Sequence, residues 1–472
     1  MTDVFEIINK EFIFPFEPYA YQRKALNTAV TFRNLLLPLK VGRGKTPMAT
    51  WRLLFDALAH DVNQGVVIVP PSLVVQWQRW LQRIRHVTGG GLDVLAYYGT
   101  PGQRAAMDLV NPDVIVMSRN IFVKDFKRIS NELGSKNNIH VVYDEAQEGL
   151  RNISNKIWRY YHQFTCNKRT TLLSGTPVDR PADVYAICKL LDPTIYPTKR
   201  KFENLHVGNV DFFGKVTEWK GEELMRENLY KNAVLIPDSE LAELPGLVIQ
   251  DVPYELGARH RKLYDEFVSE QLLTTDSGQV LDGTETNRMF HALQRFVTCP
   301  DRMDFRSIQA VLHEILWDLY NEDEDKLIVA AYYRDTNQGI LEFFQGRGVY
   351  AVGCWGDHTR EEQRRNLDDF MGNDACQVLV GNWGSFGVGT DGLQQVCSRM
   401  VLAELPLTPS RFEQLTGRLD RTGQVNKCIV KCLIAIDTIQ ETLFTALLGK
   451  DDLLQKITMQ HTSMRDLLKR SK

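Results

Sequence analysis

The sequence lacks the groupings that would mark a secreted, membrane-bound or metal-stapled protein. Its eight cysteines, at positions 166, 188, 299, 354, 376, 397, 428 and 432, are scattered; no CxxC occurs, and the closest pair is spaced CxxxC. Zinc ribbons, iron–sulfur clusters and small disulfide scaffolds need tighter grouping, so free thiols in a reducing compartment are expected. No apolar run approaches the roughly 18 residues of a membrane span. The opening MTDVFEIINKEF is acidic and aromatic, without the basic flank and apolar core of a secretory signal. A cytoplasmic protein with no membrane partner is the expectation.

A strong excess of either charge is also missing. The 472 residues carry 56 Lys and Arg against 59 Asp and Glu, a net charge of −3. The imbalance is local: residues 1–245 hold 31 basic against 26 acidic side chains, and the remainder 25 against 33. A chain that merely coats nucleic acid would be basic overall, so any such contact must rest on local stripes. With 43% apolar and 24% charged residues, the composition is globular, and the length suits two or three domains.

What is present is a repeated alternation of short apolar runs and amphipathic segments. In the first half, 66–70 (VVIVP), 114–118 (VIVMS), 139–144 (IHVVYD) and 170–174 (TTLLS) read as buried strands. Between them lie helical patterns such as 74–85, where Val75, Leu81 and Ile84 are expected to face a core. The second half repeats the scheme with strands at 326–332, 348–352, 377–381, 399–403 and 428–436 and helices at 337–345, 360–371 and 411–419. This is the pattern of parallel sheets covered on both faces. The expected organisation is an α/β lobe at 1–240, a linker and mostly helical extension at 241–325, a second α/β lobe at 326–436 and a helical brace at 437–472.

Four stations carry chemistry. Gly42-Arg43-Gly44-Lys45-Thr46 has the glycines that let backbone N–H groups turn around a phosphate ahead of a helix N-terminus. Lys45 is placed to reach the β- and γ-phosphates, and the Thr46 hydroxyl to ligate Mg²⁺. Asp144-Glu145-Ala146-Gln147 follows an apolar strand, at the sheet edge where open α/β folds bind ligands. Asp144 is expected to hold Mg²⁺ through water, and Glu145 to orient and deprotonate an attacking water. Ser174-Gly175-Thr176-Pro177 ends the next strand and reads either as a simple turn or as a link from the nucleotide site into the lobe. In the second half, Gln414-x-x-Gly417-Arg418-x-x-Arg421-x-Gly423-Gln424 sets two arginines three apart, on one face if the segment is helical. Such a pair can act on a γ-phosphate as arginine fingers do.

In this order the four stations resemble the motor of a superfamily 2 helicase, and the finer texture is similar to its Swi/Snf-type branch of duplex DNA translocases. The stretch 66–77 (VVIVPPSLVVQW) looks like that branch's motif Ia. Residues 174–193, Leu244-Pro245 with 261–264 (RKLY), 293–300 (LQRFVTCP) and 438–441 (TIQE) with Lys450 are similar to its later landmarks. At 382–391 the family's STxAGGLGIN is represented by Gly387 and Gly389. The resemblance covers roughly residues 18–455 and implies two RecA-like parallel-sheet lobes with an ATP cleft between them and small helical additions.

The resemblance also implies roles. Gln22, in 19–22 (YAYQ), would read the adenine; Gly42, Arg43, Gly44, Lys45, Thr46, Gly389 and Gln414 would line the nucleotide; Lys45, Asp144, Glu145, Arg418 and Arg421 would be catalytic; ATP and Mg²⁺ would be the cofactors. DNA contacts by family position are Ser72, Gln76, Trp77, Ser118 and Arg119 in the first lobe and Arg334, Trp383 and Ser385 in the second. Arg79 and Arg83, four apart, could extend a backbone stripe, and Trp77 equally suits a core position. The expected activity is a DNA-dependent ATPase that remodels or unwinds duplex or branched DNA, such as forks and recombination junctions, as a monomer. Some phage-encoded helicases resemble this plan, which would place the protein in a bacterial or phage-infected cytoplasm. A duplex translocase that never separates strands, an ATP-gated DNA-binding scaffold and an RNA helicase are the rival readings. No strand-separating pin is legible, and protein partners are unspecified.

Overall fold

The computed structural model describes residues 3–444 apart from 40–41, 215, 238–244, 283–285, 306–307, 309, 323–325, 383–391, 407–408 and 422. The chain divides into two compact units, with the break between residues 242 and 243. No helix among the described residues is long and apolar enough to cross a membrane.

The first unit is built on a six-stranded sheet. Its strands are β1 (Asn34–Leu37), β2 (Gln64–Val69), β3 (Val94–Tyr97), β4 (Val114–Ser118), β5 (Ile139–Tyr143) and β6 (Arg169–Leu173), in the spatial order β1-β6-β5-β2-β4-β3. Every pairing is parallel. Alternate side chains of a strand point to opposite faces, and here both faces are covered: Val66 and Ile68 of β2 join one buried cluster, Val67 and Val69 the other. Near-continuous Val/Ile runs are therefore what this sheet requires. Strands β1 and β3 stood outside the sequence reading because they are runs of only four residues.

A buried ionic cluster locks the middle of this sheet to the long helix that follows β1. Asp56 is fully buried and takes Arg169 Nε at 2.9 Å and His140 Nδ1 at 2.8 Å. The Arg52 guanidinium beside it donates to the carbonyl of Phe32 and to Thr171 Oγ1. A buried carboxylate is tolerable only when so surrounded.

A short antiparallel hairpin, β7 (Val207–Val210) and β8 (Val216–Trp219), extends the first unit after its last parallel strand.

The second unit repeats the plan. Strand β9 (Leu247–Tyr254) comes first, then a small hairpin of β10 (Leu272–Thr274) and β11 (Val280–Asp282), then β12 (Leu327–Ala331), β13 (Ala351–Cys354), β14 (Val378–Asn382), β15 (Arg399–Leu402) and β16 (Cys428–Ala435). Its main sheet has the order β9-β16-β15-β12-β14-β13, again all parallel. The stretch read from sequence as linker and helical extension thus supplies an outer strand, β9, paired along its whole length with β16. Pro253 is accommodated in it because β9 lies at the sheet edge, where a missing N–H is tolerated. The helices Ala258–Glu270, Thr286–Thr298 and Val311–Asn321 of the same stretch pack on this sheet through Phe267, Phe296 and Leu316. Strand β13 begins three residues later than the sequence pattern indicated.

Candidate nucleotide site

The loop after β1 is shaped by two glycines, Gly42 and Gly44, both at φ 80°, where an L side chain is strained. Gly44 caps helix Lys45–Ala59, so the first amides of that helix have no intrahelical acceptor and face the loop. Gln22, from helix Ala20–Ala29, is buried against the same loop. Its Oε1 accepts the Tyr19 N–H at 3.0 Å, and its Nε2 lies 2.3 Å from where a Cβ on Gly44 would stand. The Tyr21 hydroxyl donates to the Arg43 carbonyl at 3.2 Å. One helix thus holds the loop from the side, and only glycine fits at 44. Lys40 and Val41 lie outside the described residues.

The acidic pair stands where β5 ends. Asp144 N–H still bonds to the Ile68 carbonyl, continuing the ladder, and Glu145 then turns at φ 55°. That turn sends the two carboxylates different ways. Asp144 accepts Trp77 Nε1 at 2.8 Å and the Glu145 N–H at 3.0 Å. Glu145 meets Lys45 Nζ at 3.4 Å through Oε1 and the Gln147 amide through Oε2. Gln147 Oε1 in turn accepts Ser174 Oγ at 2.5 Å. Residues from three of the four stations therefore form one polar chain, Lys45–Glu145–Gln147–Ser174. Beneath the Ser-Gly-Thr-Pro turn, Arg151 donates to the Thr176 carbonyl and pairs with Asp179. The turn is a built link, the more specific of its two sequence readings.

Burial pushes the Asp144 carboxyl up, to about 6, with the Glu145 charge raising it further; Lys45 and the Trp77 hydrogen bond act in the other direction. Asp144 is a desolvated carboxylate short of positive charge, which is the environment a divalent cation suits. Among the described residues no cluster of three or more His, Cys, Asp or Glu is assembled. That fits Mg²⁺ held by one carboxylate and one hydroxyl with water and phosphate completing the shell. Asp144 and the half-buried Thr46 are the residues that would hold it.

The expected DNA contacts separate into two kinds. On helix Val74–Leu81 the buried face is Val74, Trp77 and Leu81, and Val75, expected in the core, is 42% exposed. The shift by one residue places Trp77 at 2% exposure with its indole N–H on Asp144, so its ring is withdrawn from any DNA. Ser72, Gln76, Arg79 and Arg83 are all exposed, but only Gln76 and Arg79 lie on this helix; Ser72 is on the 3-10 turn before it and Arg83 on the turn after it, so Arg79 and Arg83 do not share a helix face. Ser118 is buried and caps the next helix by accepting the Ile121 N–H at 3.2 Å; Arg119 pairs with Glu148. Both therefore have structural duties within the first unit.

In the second unit, helix Pro409–Thr416 ends before the arginines: residues 417–419 are in turns, and Gly423 stands at φ 97°. Arg418 and Arg421 sit half-buried on those turns, not on a shared helical face as the i,i+3 spacing implied, and Gln414 is half-buried on the helix. Gln424 is buried and donates to the Cys397 carbonyl at 3.1 Å, fixing the turns to the chain just ahead of β15. Arg334 is exposed and paired with Asp357 at 2.5 Å. Trp383, Ser385 and Gly389 lie outside the described residues, as does Lys450.

Sequence reasoning passed over Glu404. This buried carboxylate accepts the Thr298 and Thr336 hydroxyls, both at 2.7 Å, and the N–H groups of Tyr332 and Tyr333. It ties the ends of β12 and β15 to helix Thr286–Thr298. The only sequence signal was a lone acid after an apolar strand.

Residues 21–302 match the SNF2-related domain. An uncharacterized ATP-dependent helicase of Mycoplasma pneumoniae is 22% identical over 92% of this chain, and one of Bacillus subtilis is 23% identical over 94%. The chain spans 41% of the length of the first and 80% of the second. The solved Sulfolobus solfataricus SWI2/SNF2 ATPase core in complex with dsDNA is 18% identical and aligns over 96% of each chain with a TM-score of 0.43.

Proposed function

This chain belongs to the SNF2-related domain family, and from that membership we propose that it is an ATP-driven motor that translocates on duplex DNA and remodels branched duplexes such as forks and recombination junctions. The observation that carries the reading is the polar chain from Lys45 through Glu145 and Gln147 to Ser174, with Gln22 closing on Gly44. It gathers a phosphate-seeking lysine, a base and a relay into the lobe around one loop.

The mechanism follows from what each group touches. Bound phosphates compete with Glu145 for Lys45, and once the lysine turns to them Glu145 Oε1 can accept a proton from the attacking water. Gln147 holds the other oxygen, so the carboxylate is oriented as it works. The change is passed to Ser174 and to the strand end that carries it. Mg²⁺, held through Asp144 and Thr46, would neutralise developing charge on the β- and γ-phosphate oxygens. Arg418 and Arg421 are proposed to add positive charge at the γ-phosphate, with Gln414 and Gly389 beside the nucleotide. On the DNA side, the exposed row Ser72, Gln76, Arg79 and Arg83 supports backbone tracking.

The test is steady-state ATP hydrolysis without nucleic acid and with single-stranded DNA, duplex DNA, a forked junction and RNA. Stimulation by duplex or forked DNA, lost in Lys45→Ala, is the expected result. A rate indifferent to every DNA would refute the motor reading, and stimulation by RNA alone would move the substrate class.

A further inference from the structure

The hairpin of β7 and β8 carries at its tip two aromatic side chains that the fold does not use. Phe212 is 97% exposed and Phe213 89% exposed. The turn itself is made by its other two residues: Asp211 Oδ1 accepts the Phe213 N–H at 3.0 Å, and the Gly214 N–H closes on the Asp211 carbonyl at 2.9 Å with Gly214 at φ 77°. Asp first and Gly fourth is the usual chemistry of such a turn, and its two central positions accept almost any polar residue. Here both are phenylalanine. Among the described residues each ring meets only the other, edge to face at 5.5 Å.

The base of the hairpin is as firm as the tip is bare. Trp219 packs on the first unit's core beside Phe202. His206 is buried between the Tyr196 hydroxyl at 2.8 Å and the Lys220 carbonyl at 3.2 Å, and the Lys220 N–H returns to the His206 carbonyl at 2.9 Å. Asn209 bonds Glu218 across the strands. Four residues of extended chain hold the tip about 13 Å from that base.

A protein-docking patch would be broad and apolar. This one is narrow: among the described residues of the hairpin Val210 is the other exposed large apolar side chain, and Asn209, Asp211, Thr217 and Glu218 lie around the tip. With the two ring planes at 86°, one ring can lie flat on a base while the other braces it edge-on, and aromatic stacking on bases is sequence-tolerant. The helix leading into the hairpin, Lys199–His206, opens with three exposed cations, Lys199 (paired with Glu203 at 3.0 Å), Arg200 and Lys201, of the sign that a phosphate backbone attracts.

We propose that Phe212 and Phe213 form a strand-separating wedge, one ring stacking on the terminal base pair at a duplex junction and the other bracing it, while the motor draws the duplex toward them. The inference rests on the DNA-motor reading above and extends it from translocation to unwinding. No bond is made or broken; the work comes from ATP hydrolysis, and the rings replace the base stacking lost at each opened pair.

The test uses the full chain, with Phe212→Ala/Phe213→Ala and Phe212→Tyr/Phe213→Tyr. Three readouts are taken on each protein: duplex-stimulated ATPase, displacement of a triplex-forming strand from intact duplex, and strand release from a fork. Because both rings are in solvent, the alanine pair leaves folding intact, which its circular dichroism and melting curve check. The expected result is fork unwinding slowed about tenfold or more, the factor for losing one base–aromatic stack, with ATPase and triplex displacement unchanged and unwinding restored by the tyrosine pair. Unwinding equal to wild type, a parallel fall in all three readouts, or a change in oligomeric mass would overturn the wedge while leaving the motor standing. Absence of DNA-stimulated ATPase in the wild type would remove the motor reading, and the wedge with it.

Discussion

Removing the charge of Asp144 should stabilise the nucleotide-free protein while destroying its activity. Burial holds this carboxyl at about 6 against an ordinary 3.8, and at 1.36 kcal/mol per pKa unit the difference amounts to about 3 kcal/mol. The sign follows from linkage. A carboxyl whose folded pKa is raised favours folding below its unfolded pKa, and that advantage is lost as pH rises through the folded value. Wild-type stability should therefore fall between about pH 4 and pH 7, where Asp144→Asn has no charge to bury. The asparagine keeps an oxygen for Trp77 Nε1, but its amide cannot accept the Glu145 N–H, so part of the gain is returned. The variant should exceed wild type by up to about 3 kcal/mol near pH 8 and approach it near pH 3.5, below the ordinary carboxylate pKa. Thermal unfolding of the first unit at the two pH values reads this directly. Adding ATP with Mg²⁺ should raise the wild-type transition more than the variant's. A variant less stable than wild type near pH 8 would refute the claim that Asp144 is an under-compensated charge.

Two further substitutions probe the same site. Gly44→Ala forces an L side chain to φ 80° and its Cβ into Gln22 Nε2; a stability loss of about 1–2 kcal/mol and a raised KM for ATP are expected, and an unchanged KM would argue against Gln22 reading the nucleotide. Trp77→Phe keeps the ring and removes the N–H from Asp144; the loss of a hydrogen bond to a charged group, about 1.5–3 kcal/mol, should move the acidic limb of the ATPase pH profile upward, and an unmoved limb would detach Trp77 from the site.

The parts of this fold that were readable in sequence are those whose signal is local. Runs such as 66–69 and 114–118 are buried on both faces, so their apolar character is continuous and points only to a central parallel strand. The glycine loop and the acidic pair were readable because phosphate and water chemistry restrict residue type over a few positions. Strand β9 was not, because mostly half-buried residues and an internal proline resemble a linker until the partner strand, 181 residues downstream from Leu247 to Cys428, is in place. The same distance problem hid the role of Trp77: its spacing suited either a core or a DNA contact, and only the juxtaposition with Asp144, 67 residues away, decides. The arginine motif was legible as chemistry but not as geometry, since helix spacing was assumed where Gly417 ends the helix. The hairpin tip, Asp211-Phe212-Phe213-Gly214, stood outside the sequence reading, because adjacent phenylalanines carry no mark of exposure until the strands that flank them are in place.

Helix Val74–Leu81 joins the two halves of the proposed function. Its outer face presents Gln76 and Arg79, and its inner face places Trp77, the next residue after Gln76, on the carboxylate that would hold Mg²⁺. A helix is stiff along its length, so phosphates that pull on Gln76 and Arg79 cannot shift that face without moving the indole. The Trp77–Asp144 bond is 2.8 Å long and buried, where small displacements change a hydrogen bond steeply. DNA binding on one side and cation geometry on the other are then separated by the width of a single helix. In such an arrangement Trp77→Phe should weaken the stimulation of ATP hydrolysis by DNA more than the basal rate, because the basal site keeps Lys45, Glu145 and Gln147 while the connection to the outer face is cut.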